Sequence, residues 1–128
     1  MDLRLELLPI PVSDTDRAIA FYSEKVGFKL DHDITPGGGM RIVQMTPPGS
    51  SCSIGFGDGW VGTPPGSIQN LHLVVDDIRA VHAELSGRGL EISEINDMSA
   101  PGKPTVSYAY FADPDGNSWA LQQMARRT

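Results

Sequence analysis

Apolar and polar positions divide the chain into short runs, and the order of the runs repeats. "LRLELLPIPV" alternates apolar and polar residues, then shifts phase between Leu7 and Leu8, so both faces become apolar in its middle. That pattern predicts a strand buried on both sides. In "SDTDRAIAFYSEKVGF" the period lengthens, and Ala18, Tyr22 and Val26 fall on one helical stripe. Ser13, Asp14 and Thr15 offer N-cap oxygens, and Gly27 is placed to end the helix in the left-handed conformation. Three short strands are predicted next: "FKLDHDI", "MRIVQMT" and "CSIGFG". The turn signals "TPGGG" and "TPPGSS" separate them.

The second half follows the same plan. "QNLHLVVD" reads as a strand, "DIRAVHAELSGRG" as a helix with Ile78, Val81 and Leu85 on one stripe, and "LEISEI", "VSYAYFA" and "SWALQQ" as three strands. Asp14, Arg17, Ala18 and Gly27 match Asp76, Arg79, Ala80 and Gly89, each 62 positions later, which points to an internal duplication. The glycine- and proline-rich "GDGWVGTPPGSI" is the expected connection. The reading is one α+β domain over residues 1–128, with module one at about 1–60 and module two at about 67–128. Two βαβββ modules side by side are expected to form an eight-stranded, half-open barrel around a cavity.

Composition narrows the function classes. The 128 residues carry a formal charge of −6 and a pI near 4.8, which argues against a nucleic-acid partner. The one close arginine pair, in "ARRT", is expected to serve solubility. A single cysteine, Cys52, excludes an internal disulfide. No secretory pattern is present and no apolar run approaches the ~20 residues that span a bilayer, so no membrane partner and a reducing cytoplasm are expected.

"FADPDGNSWALQ" resembles a motif of the vicinal oxygen chelate superfamily, which includes glyoxalase I, bleomycin-resistance proteins and extradiol dioxygenases. "AFYSEKVGFKL" is similar to its first helix and turn, and "HLVVDDIRAVHAEL" to the strand and helix that open its second module. "RIVQMTPPGSSCSI" further resembles a glyoxalase-like subgroup. The resemblance spans nearly the whole chain. Locally, Pro114 and Gly116 suit a tight turn, and Asp113 and Asp115 can accept bonds from turn amides.

The resemblance implies divalent-metal ligands, usually histidine, glutamate or glutamine, on the first and last strand of each module. Carried over one position at a time, these are Leu7, Gly55, Asn70 and Ala120. Three have no ligating side chain and Asn70 is a poor ligand. No metal site is therefore expected at these positions, and a shifted divalent site using His72 and Gln122 is the less favoured alternative. Strand alternation places Asn70, His72 and Val74 on one face and Leu71, Leu73 and Val75 on the other. By the same parity Ser118, Ala120 and Gln122 face the cavity, while Trp119 and Leu121 pack the helix.

His72 is thus a cavity residue, read as a neutral ring hydrogen-bonded to Gln122 or water, with a catalytic base as the sharper alternative. Asn70, Gln122, Gly55, Tyr110, Arg41 and Trp60 are the further ligand-binding candidates. Arg41 is a possible anion anchor, Tyr108 and Tyr110 share one strand face, and Phe56 with Trp60 could form an apolar lid. Gly55 and Gly57 are expected to leave room for a ligand against the backbone. His32 reads as solvated, His82 as structural and Cys52 as a small buried side chain. Two function classes follow. One is a metal-free protein that binds a small organic molecule, without a cofactor, as a homodimer. The other is a lyase, epimerase or dioxygenase with a non-standard metal site or His72 as base.

Overall fold

The structure, a computed structural model, describes residues 1–124. Arg126 and Arg127 of the terminal pair lie outside the described residues. The elements run β1 (Leu7–Pro9), α1 (Thr15–Ala20) with a π-helical continuation (Phe21–Lys25), β2 (Lys29–Gly37), β3 (Met40–Thr46) and β4 (Ser53–Asp58). Then follow β5 (Leu71–Val74), α2 (Ile78–Gly87), β6 (Asn96–Met98), β7 (Val106–Ala112) and β8 (Ser118–Gln123). The strands form two four-stranded sheets, ordered β1-β4-β3-β2 and β5-β8-β7-β6. In each, the first strand runs parallel to the last, and the other neighbours are antiparallel. The βαβββ order read twice from the sequence is present twice. Among the described residues no helix is long and apolar enough to cross a membrane.

The described residues divide into two units, residues 1–68 with 113–117, and residues 69–112 with 118–124. In the first unit Val43, Met45, Ile54 and Phe56 are buried on one face of β3 and β4, with Ile10, Ala18, Tyr22 and Phe28. The Tyr22 ring stacks on Phe28 at 5.6 Å and lies 6.0 Å from Phe56. In the second unit Ala109, Phe111, Trp119 and Leu121 are buried with Ile78 and Leu85 of α2. Phe111 and Trp119 stack at 6.1 Å. Leu71, Leu73 and Val75 are only half-buried. β5 is an edge strand, so each of its side chains has a sheet neighbour on one side alone.

The duplication holds with a corrected register. Asp14 and Asp77, not Asp76, cap the two helices, accepting from the backbone N–H of Arg17 and Ala80. These caps are 63 positions apart, whereas Gly27 and Gly89, both with positive φ, are 62 apart. Module one therefore holds one extra residue within its helix. Burial locates it: Tyr22 and Leu85, 63 apart, are both core residues, and so are Phe28 and Leu90, 62 apart. The closing bond runs from the Phe28 N–H to the Tyr22 carbonyl, and in module two from the Leu90 N–H to the Leu85 carbonyl. The extra residue lies inside that closing loop, and the π-helical turn at 21–25 absorbs it, as such turns commonly do.

The first predicted strand is shortened and the sixth is displaced. Residues 3–6 stay outside β1, and Leu3 and Leu5 are exposed. β1's neighbour β4 begins only at Ser53, so the segment before Leu7 has no ladder beyond one bond, Ser53 N–H to the Glu6 carbonyl. "LEISEI" is not a strand, and β6 starts after it at Asn96. There the Tyr110 N–H bonds the Ser93 hydroxyl at 2.8 Å in place of a carbonyl, while the Ser93 N–H bonds the Tyr110 carbonyl. A side-chain oxygen that takes a ladder position interrupts regular pairing.

The turn at 113–117 joins two strands of the second sheet but belongs to the first unit. The Asp113 carboxylate, 5% exposed, accepts four hydrogen bonds. Oδ1 takes the N–H groups of Asp115 and Asn117, and Oδ2 takes the Tyr22 hydroxyl and the Asn117 amide, both at 2.8 Å. Asn117, fully buried, also donates to the Pro11 carbonyl and accepts from the Ile68 N–H. Asp115 does not bind turn amides; it accepts from the Ser13 N–H and hydroxyl and from Arg17. Tyr22→Phe keeps the ring packing but removes a donor to a carboxylate, so a loss of about 1.5–3 kcal/mol is expected. Asp113→Ala strands several donors and should cost more. Urea unfolding, with the slope unchanged between variants, checks both.

Candidate functional site

In the second unit, strand pairing sets two rows of side chains on the face opposite α2. His72, Ala120 and Tyr110 form one row, and Val74, Gln122 and Tyr108 the next. The Tyr108 and Tyr110 rings are nearly parallel, with centroids 6.2 Å apart, and His72 meets Tyr108 edge-on at 6.1 Å. The Gln122 amide donates to the Tyr108 hydroxyl at 3.2 Å. Tyr110, Val74 and Met98 are exposed. The face is thus mainly aromatic and apolar with a few polar groups.

His72 does not bond Gln122. Its Nδ1 lies 2.7 Å from the Asn70 carbonyl oxygen. A carbonyl only accepts, so Nδ1 is the donor in this contact, and in the neutral tautomer that donates from Nδ1 the other nitrogen, Nε2, carries a lone pair. Alternation does not extend to Asn70, which precedes β5 and has a φ of 61°. Its part in the cluster is played by its backbone, and sequence parity gave no sign of this.

The first unit arranges its candidates differently. The Trp60 indole N–H donates to the Arg41 carbonyl at 3.0 Å. A Cβ at Gly55 would lie 2.8 Å from Trp60 Cη2 and 2.9 Å from Leu7 Cδ1. At Gly57, φ 146°, a Cβ would fall 1.8 Å from the Arg41 carbonyl oxygen. The space expected for a ligand at Gly55 is therefore taken by the indole and a leucine. The glycine alternation in "GFGDGW", just before a tryptophan, was the sequence sign of it. Phe56 is no lid; it is fully buried on the opposite face. Cys52 is half-buried, His32 is exposed, and His82 Nε2 lies 2.8 Å from the Ser93 carbonyl oxygen, a structural contact between α2 and the segment before β6.

Arg41 is engaged by carboxylates. Its Nε and Nη2 donate to Asp33 at 2.9 and 2.8 Å, and Nη1 lies 2.9 Å from Asp16. The Asp33 and Asp16 bonds push the guanidinium pKa further up, and the Arg41 bond holds Asp33 below its ordinary value. Asp97 is likewise lowered, first by the Ser107 hydroxyl and then by Arg79.

The residues at the four positions that the resemblance assigns to metal ligands do not fit an ion. Leu7 and Ala120 offer hydrocarbon, Gly55 has no room for a side chain, and Asn70 has only a neutral amide. Among the described residues no three His, Cys, Asp or Glu side chains gather as a ligand set.

Two outcomes follow from this geometry. Gly55→Ala should destabilise the protein by about 1–3 kcal/mol, because indole and leucine must give way, and should shift tryptophan emission. Gly57→Ala meets rigid backbone and should cost more; urea unfolding followed by fluorescence compares the two. For Asp33, a lowered folded pKa means stabilisation that is present above the usual carboxylate value of about 4 and is lost as pH falls through the folded value. The melting-temperature gap between wild type and Asp33→Asn should be open at pH 6 and should close progressively below pH 4.

Among curated proteins none matches the sequence. Solved structures similar to the chain include TnmS3, an antibiotic-binding protein from Streptomyces sp. CB03234, at 35% identity and a TM-score of 0.77, covering 97% of this chain and 98% of that one. A glyoxalase/bleomycin resistance protein from the same organism is 37% identical, with a TM-score of 0.73 over 94% of this chain and 100% of its own. A superfamily member from Sphaerobacter thermophilus DSM 20745 is 27% identical, with a TM-score of 0.74 over 95% of this chain and 98% of its own. Residues 4–121, nearly the whole chain, match the model of one family, and the chain belongs to the Glyoxalase/Bleomycin resistance protein/Dioxygenase superfamily.

Proposed function

We propose that the chain is a metal-free small-molecule-binding protein whose ligand site includes the His72, Tyr108, Tyr110 and Gln122 face of the second sheet. The observation that carries this reading is the 35% identity, over 97% of the chain, to a protein described as antibiotic-binding. The chemistry of the positions agrees with it. A Lewis-acid reaction needs ligands where this chain has leucine, glycine and alanine. The face has instead two aromatic rings, an imidazole acceptor and an amide, which suit an organic molecule with a few polar groups.

Thermal-shift and calorimetric titration against a panel of aromatic antibiotics tests it. A ligand at about 100 times its Kd adds roughly 2.7 kcal/mol, which raises the melting temperature by several degrees. The rise should be the same before and after treatment with a chelator. His72→Ala should fold normally and lose about 0.5–1.5 kcal/mol of binding, the worth of one neutral hydrogen bond. Turnover of a bound compound, abolished by chelation or by His72→Ala with affinity retained, would replace this reading with an enzymatic one.

A further inference from the structure

We infer that Asn70 is a positioning residue for His72, fixing the imidazole as the Nδ1–H tautomer so that Nε2 accepts a hydrogen bond from the ligand. The ligand must then bring a hydroxyl or N–H donor beside an apolar, aromatic body. The ligand half of this inference rests on the proposed binding function; the tautomer half does not.

Asn70 is the one non-glycine residue with positive φ among the described residues. Asparagine tolerates that conformation better than most side chains, yet it still costs energy. In a regular strand the carbonyls lie in the plane of the sheet, at right angles to the side chains. The carbonyl of one residue then points away from the side chain two positions on. The left-handed turn at Asn70 brings its carbonyl oxygen within 2.7 Å of His72 Nδ1. The same residue is held from its other side. Its N–H donates to the Ser118 hydroxyl at 2.8 Å, and that hydroxyl donates to Gln69 Oε1 at 2.9 Å. Donation thus runs from the Asn70 N–H through the Ser118 hydroxyl to Gln69 and anchors the left-handed residue, while its carbonyl accepts from the ring; in the neutral imidazole the single proton then sits on Nδ1.

The neighbours extend the pattern. Tyr108 receives the Gln122 amide on its oxygen, so its own hydroxyl hydrogen stays available as a donor. The face thus offers an acceptor at His72 and a donor at Tyr108, next to the two parallel tyrosine rings. A phenol on a flat ring system matches that set.

Long-range nitrogen–proton spectra of the full chain, at a pH where imidazole is neutral, read the tautomer directly, and His72→Gln assigns the signals. Wild type should show a protonated Nδ1 and an unprotonated Nε2. Asn70→Gly, which accepts positive φ, should keep that pattern. Asn70→Val, which resists it, should give mixed tautomers with unchanged circular dichroism. The acceptor role is tested with 2-naphthol and 2-methoxynaphthalene. The naphthol should move the His72 Nε2 signal and bind about tenfold tighter, the worth of one hydrogen bond. A wild-type ring protonated on Nε2, or an Asn70→Val spectrum identical to wild type, overturns the positioning role. Equal affinity for the two naphthalenes, or no effect of either on Nε2, overturns the acceptor role. The tautomer is read with no ligand present, so its failure is distinguishable from a failure of the binding function.

Discussion

The Asp113 carboxylate organises the first unit. It is nearly buried and fully used, with two backbone amides, one asparagine amide and one tyrosine hydroxyl on its two oxygens. A buried carboxylate without such partners is costly, and one with all of them specifies a single arrangement of the groups around it. Those groups come from distant parts of the chain. Tyr22 lies on the first helix, and Asn117 reaches on to Pro11 and Ile68. Tyr22 is also where the ring stack with Phe28 and Phe56 begins, so the polar anchor and the apolar core share one residue. The adjoining Asp115 adds bonds to Ser13 and Arg17, at the start of the same helix.

The two units use their faces away from the helices in different ways. In the first, glycine at 55 and 57 lets Trp60 lie against β4, and the indole N–H satisfies the Arg41 carbonyl. What a ligand-bearing strand would give to carboxylate or imidazole is here given to packing. In the second, the corresponding face keeps an imidazole, two phenols and an amide. The left-handed Asn70 turns its carbonyl oxygen to within 2.7 Å of the Nδ1 of that imidazole.

The fold was largely legible because hydrophobic periodicity is set by burial. β3, β7 and β8 coincide with the runs "MRIVQMT", "VSYAYFA" and "SWALQQ", and the Ala18, Tyr22 and Val26 stripe is buried. The failures have particular causes. The π-helical turn shifts the internal register by one, which apolar spacing does not reveal. Ser93 imitates a strand residue with its hydroxyl, so composition suggested a ladder where regular pairing stops. Of the candidate site residues, parity sets His72 and Gln122 on one face and Tyr108 and Tyr110 together on their own strand, but strand pairing was needed to join the two pairs. The partner of His72 was not legible, because it is a backbone carbonyl turned by a φ that no alternation rule anticipates.

The superfamily architecture is kept here, while the four positions of its metal hold leucine, glycine, asparagine and alanine, which do not fit an ion. Paramagnetic broadening tests it most directly. Manganese added in equimolar amount to nitrogen-15-labelled protein should leave the amide signals of Leu7, Gly55, Asn70 and Ala120 no broader than those of the exposed acidic surface. Selective loss of those four signals at low manganese would place an ion among them and contradict the account.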